Sequence, residues 1–357
     1  MRSRPFFDGA VIALSCLASM VLDCRHQEPT KAERRGEELY ARTCAVCHGR
    51  AGQGYAADQA PALANPEFLA SVTDAYLRHA IAQGRRGTTM SAWSAARGGP
   101  LTVADVDAVI AFIRSWGHSP RAVLDERTTA GDPARGASVY AAQCEKCHGA
   151  RGAGGPNIHI GNPELLATAS NGFLRYAIQR GRSGTAMPAF EHVLDATGVD
   201  DALSLLRSWQ EAAAPAAAAS TPPPPTPPLP LGPVPLNPDG PAPIGFHALP
   251  EMTSADAVKG QLDRGARMAI LDARAPSDYV YEHIAGAVSV PFYDPEPYIA
   301  ALPKDAWLVC YCACPHAESG QLAQKLLSKG FTKVTVLNEG LGYWRGKAYP
   351  THTGASP

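Results

Sequence analysis

Cys44-Ala45-Val46-Cys47-His48 returns later in the chain as Cys144-Glu145-Lys146-Cys147-His148. A C-x-x-C-H pentapeptide is the attachment pattern of a c-type haem: each thiol adds to one vinyl group, and the following histidine becomes an axial iron ligand. One occurrence in 357 residues is compatible with chance, but two in matching surroundings are not. The spacing therefore predicts two covalently bound c-type haems, held by Cys44, Cys47 and His48 and by Cys144, Cys147 and His148.

The surroundings of the two motifs repeat as well. Arg35-Gly36 and Tyr40 before the first answer to Arg135-Gly136 and Tyr140 before the second. Asn65-Pro66-Glu67 answers to Asn162-Pro163-Glu164, and each unit closes on Arg-Ser-Trp, at 114–116 and 207–209. Such internal similarity marks tandem copies of one domain. In the first copy Val106, Val109, Ile110 and Ile113 fall at helical spacing, with Thr102 and Asp105 set as a capping box. The segment 200–209 supplies the shorter equivalent in the second copy.

These features resemble the small all-α class I cytochrome c fold, over about residues 33–211. The resemblance implies that the first and last helices cross beside the haem and that a methionine is the second axial ligand. Met90, in Gly87-Thr-Thr-Met90-Ser-Ala-Trp93, and Met187, in Gly184-Thr-Ala-Met187-Pro-Ala-Phe190, occupy matched glycine-flanked loops. Ser91 replaces the proline found at position 188. His79, His118, His159 and His192 have no counterpart in the other copy and are read as surface or packing residues. A thioether opposite an imidazole raises the haem potential relative to two imidazoles. One-electron transfer to a redox partner protein, a cytochrome or an oxidase, is the implied role.

Composition bounds the remainder. The net charge of −1 offers no basic stripe, so nucleic acid is not an expected partner. Nine cysteines do not make a disulfide framework, because four belong to the haem motifs and three crowd together as Cys310, Cys312 and Cys314. The first 32 residues have a charged start and a short apolar run, the layout of an export signal and too short for a comfortable membrane span. An exported, periplasmic protein is expected. Cys24, or less favourably Cys16, is a candidate for lipidation, which would anchor the chain to a membrane.

Residues 212–244 are rich in alanine and then proline, a composition that favours extended polyproline II and a spacer role. After it the pattern becomes α/β. Ala269–Asp272, Ala287–Pro291, Trp307–Tyr311 and Val334–Leu337 read as strands, separated by helical patterns such as Gly320–Lys329, which implies a parallel sheet. Leu271-Asp272-Ala-Arg274, Glu282-His283-Ile-Ala-Gly286 and the tail Leu337-Asn-Glu-Gly340 through Trp344 resemble the rhodanese family of sulfurtransferases, over residues 245–353.

That resemblance implies a cysteine that carries sulfane sulfur as a persulfide, with a small sulfur compound as substrate. By position the cysteine is Cys312, and the opening of the next helix would favour its thiolate. Asp272, Cys314 and His316 join it as candidate catalytic residues, Cys314 as a resolving thiol and His316 as a proton acceptor. The loop departs from the family pattern in having Glu318 near the usual arginine, which disfavours anionic thiosulfate. An alternative reading has Cys310, Cys312, Cys314 and His316 alternating along an extended chain as soft ligands for Cu(I) or Zn(II). A pure electron carrier with a non-catalytic or sensing module is the corresponding rival function. The expected architecture is thus multidomain: cytochrome c domains at 33–118 and 130–211, a linker at 212–244, and an α/β rhodanese-like domain.

Overall fold

The computed structural model describes residues 28–55, 57, 59–117, 120–219, 229, 231–234, 236–313 and 316–357, with only the backbone of 212–219. Cys16, Cys24, His118, Cys314 and most of the proline run lie outside the described residues.

The first helical domain comprises α1 (Lys31–Thr43), α2 (Ala45–His48), α3 (Pro66–Ser71), α4 (Asp74–Gln83) and α5 (Val103–Ser115). The second repeats it with α6 (Pro133–Gln143), α7 (Glu145–His148), α8 (Pro163–Thr168), α9 (Asn171–Arg180) and α10 (Ala196–Ala219). Helix α1 crosses α5, and α6 crosses α10. Glycine permits each crossing: a Cβ on Gly36 would lie 2.0 Å from the Ala108 carbonyl oxygen, and one on Gly136 would lie 2.1 Å from that of Asp201. Beside each crossing a tyrosine meets a tryptophan edge-on, Tyr40 with Trp116 at 5.1 Å and Tyr140 with Trp209 at 4.9 Å.

The capping box at Thr102 and Asp105 forms as expected. Helix α10 is longer than the expected 200–209. It begins near Asp195, whose carboxylate accepts the Gly198 N–H at 2.8 Å, and runs on through the alanine-rich stretch to Ala219. Alanine has the highest helix propensity, which favours continuing the helix into this stretch.

The C-terminal domain contains α11 (Ala255–Asp263), β1 (Met268–Asp272), α12 (Pro276–Tyr281), β2 (His283–Ile284), β3 (Val288–Ser289) and α13 (Glu296–Ile299). It continues with β4 (Trp307–Tyr311), α14 (Ala317–Ser328), β5 (Val334–Val336), α15 (Gly340–Gly346) and β6 (Thr351–His352). The main sheet has the order β3-β1-β4-β5 and is parallel throughout, while β2 and β6 pair antiparallel. Strands β1, β3 and β5 are buried along their length, as a parallel sheet covered on both faces requires. The chain is already fastened to this domain before Phe246, since Leu236 exchanges both backbone hydrogen bonds with Met268.

Candidate functional site

Each C-x-x-C-H motif forms a single helical turn, α2 or α7, directly after a helix whose tyrosine donates to the glycine following the histidine. Tyr40 reaches the Gly49 carbonyl at 2.8 Å and Tyr140 that of Gly149 at 2.7 Å. His48 donates its Nδ1 hydrogen to the Pro61 carbonyl at 2.9 Å, and His148 does the same to Ile158 at 3.0 Å. Burial pushes both imidazoles below their usual pKa. The rings are therefore neutral and oriented, with Nε2 left as a lone-pair donor, as an axial metal ligand needs to be.

Met90 and Met187 sit on loops built identically. The Arg85 N–H donates to the Met90 carbonyl at 2.8 Å and the Thr88 hydroxyl returns to the Arg85 carbonyl at 2.7 Å. In the second copy Arg182 and Thr185 make the same bonds at 2.9 and 2.7 Å. All eight predicted haem residues line one cavity of about 640 Å³ shared by the two helical domains.

The two domains face each other across a pseudo-twofold. Asn65, the N-cap of α3, donates to the Ser183 carbonyl at 2.9 Å, and its counterpart Asn162 donates to the Arg86 carbonyl at 2.8 Å. Glu67 and Glu164 complete the pattern by accepting the Ser183 and Arg86 backbone N–H groups at 3.1 and 2.7 Å. The loop carrying each methionine is thus held by the opposite domain.

The sequence did not single out Arg85 or Arg182, yet both line the cavity. Arg85 donates to Thr168 and Arg182 to the Gly181 carbonyl, and among the described residues neither forms an ion pair with a carboxylate. A guanidinium facing a cavity without an anion suits the carboxylates of a haem edge. His159, read as a surface or packing residue, also lines the cavity, while His79 and His192 are exposed. With neutral imidazoles, thioethers, paired thiols and two guanidiniums that lie over aromatic rings but form no ion pair among the described residues, the residues fit a haem in each half.

In the α/β domain Cys312 follows β4 and is fully buried. Its Sγ lies 3.3 Å from the Ser319 hydroxyl, in the first turn of α14. Cys310, on the strand before it, is buried too, and burial raises its pKa well above the usual thiol value. His316 adopts a left-handed conformation (φ 77°) at the N-cap of α14, and its Nε2 is 2.8 Å from the Asn338 carbonyl oxygen. That bond commits His316 Nε2 to Asn338.

Asp272 is wholly enclosed, and Arg274 and the Tyr311 hydroxyl both donate to its carboxylate, at 2.6 to 3.2 Å. These bonds give it a positioning part, fastening β1 to β4 one residue before Cys312. Glu318 is buried, and burial first, then the neighbouring Cys312 and Asp278, push its pKa well up. Among the described residues no group of three or more His, Cys, Asp and Glu side chains forms a metal site.

The fold and the site together define a tandem c-type cytochrome continued by a rhodanese-like domain. Residues 31–113 and 131–204 each match the family model for "Cytochrome C oxidase, cbb3-type, subunit III", and residues 254–347 match "Rhodanese-like domain". The C-terminal part is 35% identical over 85 residues to the thiosulfate sulfurtransferase GlpE of Pseudomonas fluorescens, covering 24% of this chain and 75% of that protein. The chain thus belongs to the rhodanese family through its C-terminal domain and carries before it two cytochrome c domains, each similar to the cbb3 subunit III model.

The helical part is 31% identical over 178 residues to the cbb3-type cytochrome c oxidase subunit CcoP of an Azospirillum species, 45% of this chain and 56% of that one. It is 29% identical over 201 residues to subunit FixP of a Bradyrhizobium species, 53% of this chain and 64% of that one. The chain therefore spans less than two thirds of these oxidase subunits. No helix among the described residues is long and apolar enough to cross a membrane.

Proposed function

We propose that this protein is an exported dihaem cytochrome whose rhodanese-like domain handles sulfane sulfur as a persulfide on Cys312, so that sulfur chemistry and electron transfer meet in one chain. The observation that carries this reading is a contact. Helix α14, which opens beside Cys312, packs against α2, which holds Cys47 and His48. Glu318 of the same helix lines the cavity of the haem residues.

Cys44, Cys47, His48 and Met90 would hold one haem and Cys144, Cys147, His148 and Met187 the other, with Arg85 and Arg182 facing their carboxylates. The Cys312 thiolate, favoured by the N-terminal end of α14, attacks the outer sulfur of a donor persulfide. The S–S bond of the donor breaks, Cys312–S–S⁻ forms, and the donor leaves as a thiolate. Such a transfer moves no net electrons. Joining H₂S to the Cys312 thiol as a persulfide releases two protons and two electrons, and two haems, when bound, supply two one-electron acceptors.

The charge of the site selects the donor. Arg274 is tied to Asp272, and Glu318 and Asp278 are held toward their neutral forms by burial. This suits a neutral or singly charged sulfide, polysulfide or protein persulfide better than dianionic thiosulfate. Electrons would leave through a partner cytochrome or an oxidase, and a lipidated Cys24 would keep the chain at a membrane.

Sulfur transfer from polysulfide to cyanide that disappears in C312S, in protein with two haems per chain, is the expected result. Transfer that persists in C312S would remove Cys312 from its role. A second reading, an electron carrier with a non-catalytic rhodanese fold, draws on the complete burial of Cys312. Absence of transfer in the wild type, with both haems redox-active, would favour it.

A further inference from the structure

The two methionine loops share one construction, but in the three residues after the methionine they differ at two positions. Ser91 stands where the second copy has Pro188, and Trp93 stands where it has Phe190. Both differences lead to the rhodanese-like domain.

Ser91 is only 2% exposed, and its hydroxyl donates a hydrogen bond to the carboxyl group of Asp278 on α12. A proline in the second-copy manner would have no hydroxyl to donate. Next to it, the Ser277 hydroxyl donates to the Ala92 carbonyl at 3.4 Å. The Trp93 indole is buried and lies edge-on to Phe292 at 6.3 Å and Tyr293 at 5.5 Å. In the second copy Pro188 is exposed. The contact continues on the far side, where α14 lies against α2 and Glu318 faces the cavity. Glu318 is the neighbour of Ser319, whose hydroxyl touches Cys312.

We infer that the methionine loop of the first cytochrome domain is a specialised docking face for the sulfur site, and that Ser91, Trp93 and Asp278 are the positioning residues that hold the Cys312 loop against the first haem site. The repeat supplies the control, because the same loop with Pro188 and Phe190 has no such contact among the described residues. The purpose of the docking rests on the reading of Cys312 as the sulfur site; the docking itself does not.

The test uses the full-length, haem-loaded protein after mild thiol reduction. Iodoacetamide labelling of Cys312 is followed by tandem mass spectrometry, which separates it from Cys314, and the two haem midpoints are measured by potentiometric titration. S91A/W93F removes one hydrogen bond and part of an aromatic contact. It labels Cys312 roughly two- to ten-fold faster than wild type, the range expected for opening an interface held by interactions of this size. The second-copy control P188S/F190W labels Cys312 at the wild-type rate. D278A, which changes no residue of the methionine loop but removes the acceptor of the Ser91 hydroxyl, shifts one midpoint and not the other. Wild-type labelling in S91A/W93F with haem content intact overturns the inference, as does a D278A protein whose midpoints both stay or both move equally. Sulfur turnover enters none of these readings, so loss of the sulfur function and loss of the docking are separately visible.

Discussion

A Cβ placed on Gly36 would stand 2.0 Å from the carbonyl oxygen of Ala108, closer than any side chain can approach a backbone oxygen. The first and last helices of the domain can cross beside the haem residues only because this position is glycine. Gly136 meets the Asp201 carbonyl in the same way. G36A or G136A should separate one crossing and destabilise the protein by about 1–3 kcal/mol, as overpacking of a close contact does. Thermal unfolding of each variant checks this, and a variant with wild-type stability would contradict it.

The reciprocal asparagines make a second prediction. Asn65 caps α3 by accepting the Phe68 N–H and also donates across to Ser183. N65A should therefore lose a cap and an interdomain bond, about 1–2 kcal/mol. N162A should behave alike, since Asn162 caps α8 and donates to Arg86. Denaturant unfolding measures both; a cost confined to one of the two would break the pseudo-twofold account.

Replacing Met90 or Met187 by leucine should remove one thioether ligand and change one of two haem midpoints, while H79A and H192A leave both in place. Potentiometric titration of each variant decides it. Unchanged midpoints in M90L and M187L would reassign the ligands, and His159, which lines the cavity, would then be examined first.

Glu318 gives the pH dependence a definite sign. Its native pKa is raised by burial above the ordinary carboxylate value. Its contribution to stability is therefore fully present at acid pH, below the unfolded pKa, and is lost as pH rises toward the native value. Asp278, also raised by burial, acts in the same direction. E318Q should flatten the fall in stability as pH rises above the ordinary carboxylate pKa of about 4.3. A steeper fall in E318Q than in wild type would reverse the assignment.

Much of this was legible in the sequence because it is local. Two C-x-x-C-H motifs, a capping box at Thr102 and Asp105, and four apolar runs between helical patterns each announce themselves within a few residues. The repeat added a comparison that picked out Met90 and Met187 together. What stayed hidden depends on distant partners. In the sequence Ser91 only replaces the proline of the second copy, whereas in the fold its hydroxyl is spent on Asp278, 187 positions away. Nothing local marks Arg85 and Arg182, which the fold sets on the cavity with no ion-pair partner among the described residues. His316 read as a proton acceptor for Cys312, but the turn that starts α14 directs its Nε2 to Asn338. Asp272 carries the family pattern, and the sheet register sets it opposite Tyr311, whose hydroxyl joins Arg274 in binding it.

The central claim is that sulfur handled at Cys312 and the haems belong to one machine. Anaerobic stopped-flow absorbance, with oxidised protein mixed with sulfide or polysulfide, tests it most directly. The account predicts fast haem reduction in wild type that is lost in C312S with both haems still present. Equal reduction in the two proteins, or none in either, would contradict it.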